Sequence, residues 1–130
     1  MAVNLMDHMP FAKGLGLKVT TSTKDRVVGS LTVNKSLCTT GKIMHGGAIM
    51  AVADTLGAIG AFLNLPDGAK ATTTIESKTN FLGAAPVGFQ ITAETTPVHV
   101  GGRTSVWQTK LTRADGKAVA LVTQTQLVLS

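Results

Sequence analysis

The sequence has no tyrosine, one tryptophan and four phenylalanines in 130 residues. Small and β-branched side chains must therefore fill the interior, and the aromatic platforms on which single-stranded nucleic acids stack are missing. The net charge of +5 comes from lysines and arginines scattered along the chain, with no basic run, so nucleic acid is not expected as a partner. A single cysteine, Cys38, excludes an internal disulfide and suits a reducing, cytoplasmic setting. Without a clear histidine partner it reads as a filler or loop thiol, not a nucleophile. His8, His45 and His99 are too dispersed to form a metal-ligand set, so no metal is expected. No GxSxG elbow or phosphate-binding loop is present. Asp7, His8 and Pro10 interrupt the N-terminal stretch before a leader-like apolar core develops. The length suits one domain, residues 1–130.

What the chain does have is one long apolar stretch with a single charge inside it. Cys38 to Leu65 reads CTTGKIMHGGAIMAVADTLGAIGAFLNL, and from Ala48 to Leu63 Asp54 is the sole ionisable residue. The stretch nearly suffices to cross a membrane. Asp54, Gly57, Gly60 and the alternating segments downstream favour instead a buried helix over Gly47–Asn64, ended by Pro66-Asp67-Gly68, with no membrane role. A helix apolar all round must be covered on most sides, and its glycines read first as packing positions.

Around that helix the pattern has period two. Leu17–Thr23 and Val27–Val33 read as strands joined at Lys24-Asp25, after a short helix within residues 3–13 that offers Leu5, Met6, Met9 and Phe11 as apolar contacts. Ser36–Met44 reads as a loop. Ala71–Leu82 is a long strand, Gly83–Gly88 a turn, and Phe89–Val98, Arg103–Arg113 and Lys117–Leu129 an antiparallel meander. In the last strand Val119, Leu121, Thr123 and Thr125 share one face, and Ala118, Ala120, Val122 and Gln124 the other. The expected class is α+β: one antiparallel sheet of about six strands wrapped around a long central helix.

The chemistry centres on the start and middle of the helix. Gly46-Gly47 follow a polar loop, so their N–H groups have no intrahelical partner and sit at the positive end of the helix dipole, where they can polarise a carbonyl. A glycine pair alone reads as well as a flexible entry turn. Asp54 lies eight residues beyond Gly46, about 12 Å along one helix. That is too far for both to act on one carbonyl, so a shared substrate requires Asp54 from a second subunit related by a twofold axis. The plainer alternative is a buried Asp satisfied by Thr55 or by a neighbouring strand. His45 reads better as a residue that shapes the loop by hydrogen bonding than as an acid or base.

HGGAIMAVADTLGAIGA resembles the signature of the hotdog-fold thioesterases, specifically the PaaI-like branch of the phenylacetate pathway, in which HGG is followed by an Asp nine residues after the His. The resemblance runs from Phe11 to Leu129 and includes the TNFLGAAPVG segment and the GGRT hairpin. It implies hydrolysis of acyl- or aryl-coenzyme A thioesters by a homodimer, paired further into a homotetramer, with no cofactor beyond the coenzyme A of the substrate. By that resemblance the Gly46 N–H polarises the thioester carbonyl, with Gly47 beside it. Asp54 is nucleophile or general base from the opposite subunit. Thr74 positions water or the carboxylate, with Thr73 close behind, and His45 orients loop or substrate. The chain departs from the pattern at two places: many relatives have Asn six residues before the His and Gly three before it, where this chain has Thr39 and Lys42, with Gly41 displaced by one. Thr39 retains a hydroxyl able to hydrogen-bond. Arg103, then Lys78 and Lys42, are the candidates for the phosphates of coenzyme A. Two other functions suit such a chain: a hotdog enoyl-thioester hydratase or dehydratase, and a non-catalytic acyl-CoA binding module.

Overall fold

The computed structural model describes residues 5–130. Threonine- and valine-rich segments, which suit a pleated half-buried surface, form β1 (Lys18–Thr23) and β2 (Arg26–Thr32). After the helix α2 (Gly46–Leu63) come β3 (Ala71–Phe81), β4 (Gln90–Val100), β5 (Thr104–Arg113) and β6 (Ala118–Leu129). All pairings are antiparallel, in the order β1-β2-β4-β5-β6-β3. The meander β4-β5-β6 is as expected. β3 does not pair with its sequence neighbour β4; it crosses to the far edge and pairs with β6. The sheet curls around α2, which contacts every strand, and Ile49, Val52, Ala53, Leu56 and Ile59 of the helix join the core.

Two glycines explain how so tight a wrap is possible. A Cβ at Gly57 would lie 2.3 Å from Cδ of Gln124, and one at Gly60 would lie 2.7 Å from Cζ3 of Trp107. Glycine lets both strands approach the helix backbone, as the packing interpretation anticipates. Trp107 is fully buried there, its indole N–H donating to Ser105 Oγ at 2.8 Å. The helix is long and apolar enough to cross a membrane, but it is the core element of this sheet.

Several local expectations need correction. The N-terminal helix is two short pieces, a 3-10 turn at Leu5–His8 and α1 (Pro10–Gly14), because Pro10 drives Met9 out of helical geometry (φ −130°, ψ 72°). Residues 3 and 4 of the expected helix lie outside the described residues. Met6 is buried, whereas Phe11 is 72% exposed and makes no core contact of the kind expected. The loop before α2 contains two single 3-10 turns, Lys35–Leu37 and Thr40–Lys42. In β6, Val119 is an extra residue in the pairing with β5, so that Val119 and Ala120 are both buried, and the strict alternation of faces expected there fails at this bulge.

A second bulge, at Ile75, sets the faces of β3. Thr74 pairs with Gln126 but Glu76 with Thr125, so Ile75 has no opposite number. Ser77 and Thr79 lie opposite Gln124 and Val122, both buried against the helix. Thr74, Ser77 and Thr79 therefore face inward, and Glu76 and Lys78 face out.

Candidate functional site

The chain enters α2 through a loop held by His45. The imidazole Nδ1 accepts from the Gly47 N–H at 2.8 Å, and the His45 backbone N–H donates to the Leu37 carbonyl at 2.8 Å. His45 is thus the N-cap, a loop-shaping contact. A Cβ at Gly47 would lie 3.0 Å from Nδ1, so this glycine makes room for the cap. The consequence corrects one expectation: the Gly47 N–H is already engaged and has no donor left for a substrate. Gly46, at the first helical position, has an N–H without an intrahelical acceptor. It opens on a cavity of about 480 Å³ lined by Thr39, Ile43, Gly46, Ile49 and Phe81. The structure therefore places Thr39 beside the helix start. Gly41 and Lys42 just before it have φ of 79° and 59°; the second is a left-handed conformation that ordinarily favours glycine.

Asp54 is exposed, not buried as its apolar surroundings in sequence suggest. It shares with Gly47, Met50 and Phe62 a face of α2 turned away from the core. Its partner is Thr74 on β3, whose hydroxyl donates to Asp54 Oδ1 at 2.6 Å. The Thr55 hydroxyl goes to the Ala51 carbonyl at 2.8 Å and takes no part. Thr74 is held from behind by residues the motif does not name. Gln126 Nε2 donates to Thr74 Oγ1 at 2.6 Å and to Gln124 Oε1 at 2.7 Å, and Gln124 Nε2 donates to the Ala53 carbonyl at 2.8 Å. Thr72 Oγ1 donates to Gln126 Oε1 at 3.0 Å. Both glutamines are fully buried. The only trace of this in the sequence is Gln at alternate positions of an apolar strand, Gln124 and Gln126.

One turn beyond Asp54 is an almost wholly apolar cavity of about 490 Å³ lined by residues including Leu5, Met9, Ala58, Phe62 and Thr72. The remaining candidates separate. Thr73 is exposed and, by alternation, faces away from Thr74 and the helix. Lys78 is likewise on the outer face. The Arg103 carbonyl accepts from the Val128 N–H at 2.8 Å, which puts this residue at the end of the sheet where β3 begins. Lys42 stands at the opposite, Gly46 end. The candidates thus gather at two places along one helix: Gly46, Thr39, His45 and Lys42 at its start, and Asp54 with Thr74 at its middle, eight residues on, about 12 Å away.

Comparison with known proteins gives a consistent result. Residues 41–120 match the thioesterase superfamily. The 1,4-dihydroxy-2-naphthoyl-CoA thioesterase 2 of Arabidopsis thaliana is 34% identical over 89 residues, 68% of this chain. The match spans 55% of that enzyme, so this chain accounts for little more than half its length. Among solved structures, AziG of S. sahachiroi superposes with a TM-score of 0.87 at 29% identity, covering 92% of this chain and 96% of that one. The E. coli PaaI protein from the phenylacetic acid degradation operon has a TM-score of 0.86 at 22% identity, covering 98% and 91%. The architecture is the hotdog fold.

Proposed function

The chain belongs to the thioesterase superfamily, and from that premise we propose that it hydrolyses acyl- or aryl-coenzyme A thioesters to the free acid and coenzyme A. The observation that carries this is the Asp54 carboxylate, held by the Thr74 hydroxyl on the uncovered face of an otherwise apolar helix. In the proposed reaction the Gly46 N–H of one protomer hydrogen-bonds the thioester carbonyl oxygen, where negative charge develops. Asp54 of the partner subunit attacks the carbonyl carbon or takes a proton from the water that does. The carbon–sulfur bond then breaks and coenzyme A leaves as the thiol, carrying the proton that the water gives up; where Asp54 itself attacks, water hydrolyses the acyl–aspartyl anhydride to the free acid and restores the carboxylate.

Two features favour a dimer as the working unit. β3 is an edge strand with one side unpaired, and Met50, Phe62, Ile75, Phe81 and Leu82 are exposed on α2, on β3 or just after it. An unpaired edge beside exposed apolar groups is a surface that a second copy would cover. We further propose that dimers pair into tetramers in the cytoplasm. The apolar cavity beyond Asp54 suits the acyl side of the substrate, and the plant relative's name points to an aromatic acyl group. We propose Arg103 first, and Lys42 after it, for the coenzyme A phosphates; Lys78 faces away from the helix.

The test is thiol release from short aliphatic, long aliphatic and aromatic coenzyme A thioesters, with Asp54→Asn alongside. Because Asp54 is exposed, the variant should fold and lose about 10²- to 10⁴-fold in turnover. Near wild-type turnover in the variant would refute the mechanism. Binding without release would indicate an acyl-CoA binding module, and consumption of an enoyl thioester without thiol release a hydratase.

A further inference from the structure

We propose that Gln126 is a positioning residue for Asp54: it dictates which way the Thr74 hydroxyl points, and thereby pins one carboxylate oxygen while leaving the other free to react. This rests on the thioesterase reading of Asp54.

The direction of every hydrogen bond in the chain behind Asp54 is forced. The Ala53 carbonyl can only accept, so Gln124 must turn its NH₂ toward it, at 2.8 Å. The Gln124 carbonyl oxygen then faces Gln126, which must answer with its own NH₂, at 2.7 Å. That same nitrogen lies 2.6 Å from Thr74 Oγ1 and has only hydrogens to offer, so the threonine oxygen accepts on that side. Its one proton is left for Asp54 Oδ1, at 2.6 Å. The Thr72 hydroxyl completes the set by donating to Gln126 Oε1 at 3.0 Å. Reversing either amide would set acceptor against acceptor. The chain therefore begins on the carbonyl of Ala53, crosses two strands and ends on the side chain of the next residue, Asp54.

Packing does not call for this arrangement. Gln124 and Gln126 are fully buried, where an apolar side chain of similar volume would avoid the desolvation of two amides. Gly57 is bare where the Gln124 amide lies against the helix. What the buried amides supply is orientation. A threonine hydroxyl without them is free to turn to another acceptor, and Asp54, itself exposed, would lose its directed donor.

Gln126→Met keeps length and removes the amide. In coenzyme A thioester hydrolysis it should lower kcat about 10- to 100-fold, as for a hydrogen bond to a charged group, with KM changed less than about twofold. In a Thr74→Val background the same substitution should cost no further kcat, since no hydroxyl remains to be oriented. Unchanged kcat in Gln126→Met, or equal losses in both backgrounds, would overturn the proposal. A second measurement needs neither variant nor turnover. In the wild-type chain the Gln126 side-chain amide protons should exchange with solvent far more slowly than those of exposed Gln90; equal rates would overturn the chain of bonds. Failure of the wild type to release thiol from any thioester would instead refute the hydrolase reading, and the exchange result would stand apart from it.

Discussion

A substrate carbonyl held at Gly46 cannot be reached by Asp54 of the same chain, and this can be tested by mixing two inactive variants. In Asp54→Asn the carboxylate is gone and the Gly46 N–H remains. Gly46→Pro removes the N–H at a first helical position, where proline's fixed φ is tolerated; the nearest atom to an added Cβ is Cζ of exposed Phe81, at 3.1 Å. The residues are eight apart on α2, about 12 Å at 1.5 Å per residue. If each site joins Gly46 of one protomer to Asp54 of the other, statistical exchange at equal concentrations makes about half the dimers mixed. Each mixed dimer has one site with both groups intact and one with neither, so recovered activity should approach about a quarter of wild type per chain. The assay is thiol release from the co-refolded mixture and from heterodimer isolated with a different tag on each variant, where about half of wild type per chain is expected. Each parent should stay near background. No recovery in verified heterodimers would show that the sites are not shared, and recovery near wild type would contradict the count.

Two further outcomes follow from backbone geometry. Lys42→Gly should raise stability by about 0.5–1 kcal/mol, the relief of a left-handed lysine (φ 59°) less the entropy cost of glycine; a lower denaturation midpoint would contradict it. Gly57→Ala should destabilise by about 1–3 kcal/mol despite alanine's better helix propensity, because its methyl would lie 2.3 Å from the buried Gln124 amide. Denaturant unfolding measures it, and a stability gain would mean that Gln124 is free to move.

The helix was legible in the sequence to one residue at each end, Gly46–Leu63 against an expected Gly47–Asn64, because a glycine pair opens it and Pro66 closes it. The strands were legible because alternation and glycine turns are local signals. The position of β3 beside β6 was not, since strand order is a property of the whole chain. The exposure of Asp54 was hidden for a different reason: a helix face left uncovered by its own sheet can be as apolar as a core face, and Met50 and Phe62 on the exposed side read like Leu56 on the buried one. The HGG motif pointed to His45 and Gly46, yet could not tell that the cap consumes the Gly47 N–H. Gln124 and Gln126 were missed because a glutamine's value lies in its partners, and those are 71 and 52 residues away at Ala53 and Thr74.

The unpaired Ile75 also affects how this protein can change length. Because the pairing resumes with Glu76 opposite Thr125, a chain lacking Ile75 would keep every downstream partner and every inward or outward assignment of β3. Loss of Ser77 instead would shift the rest of the strand by one and turn Lys78 toward the helix. In a fold whose length ordinarily varies in its loops, a one-residue gap among related chains would be tolerated here, in the middle of a strand beside the candidate carboxylate.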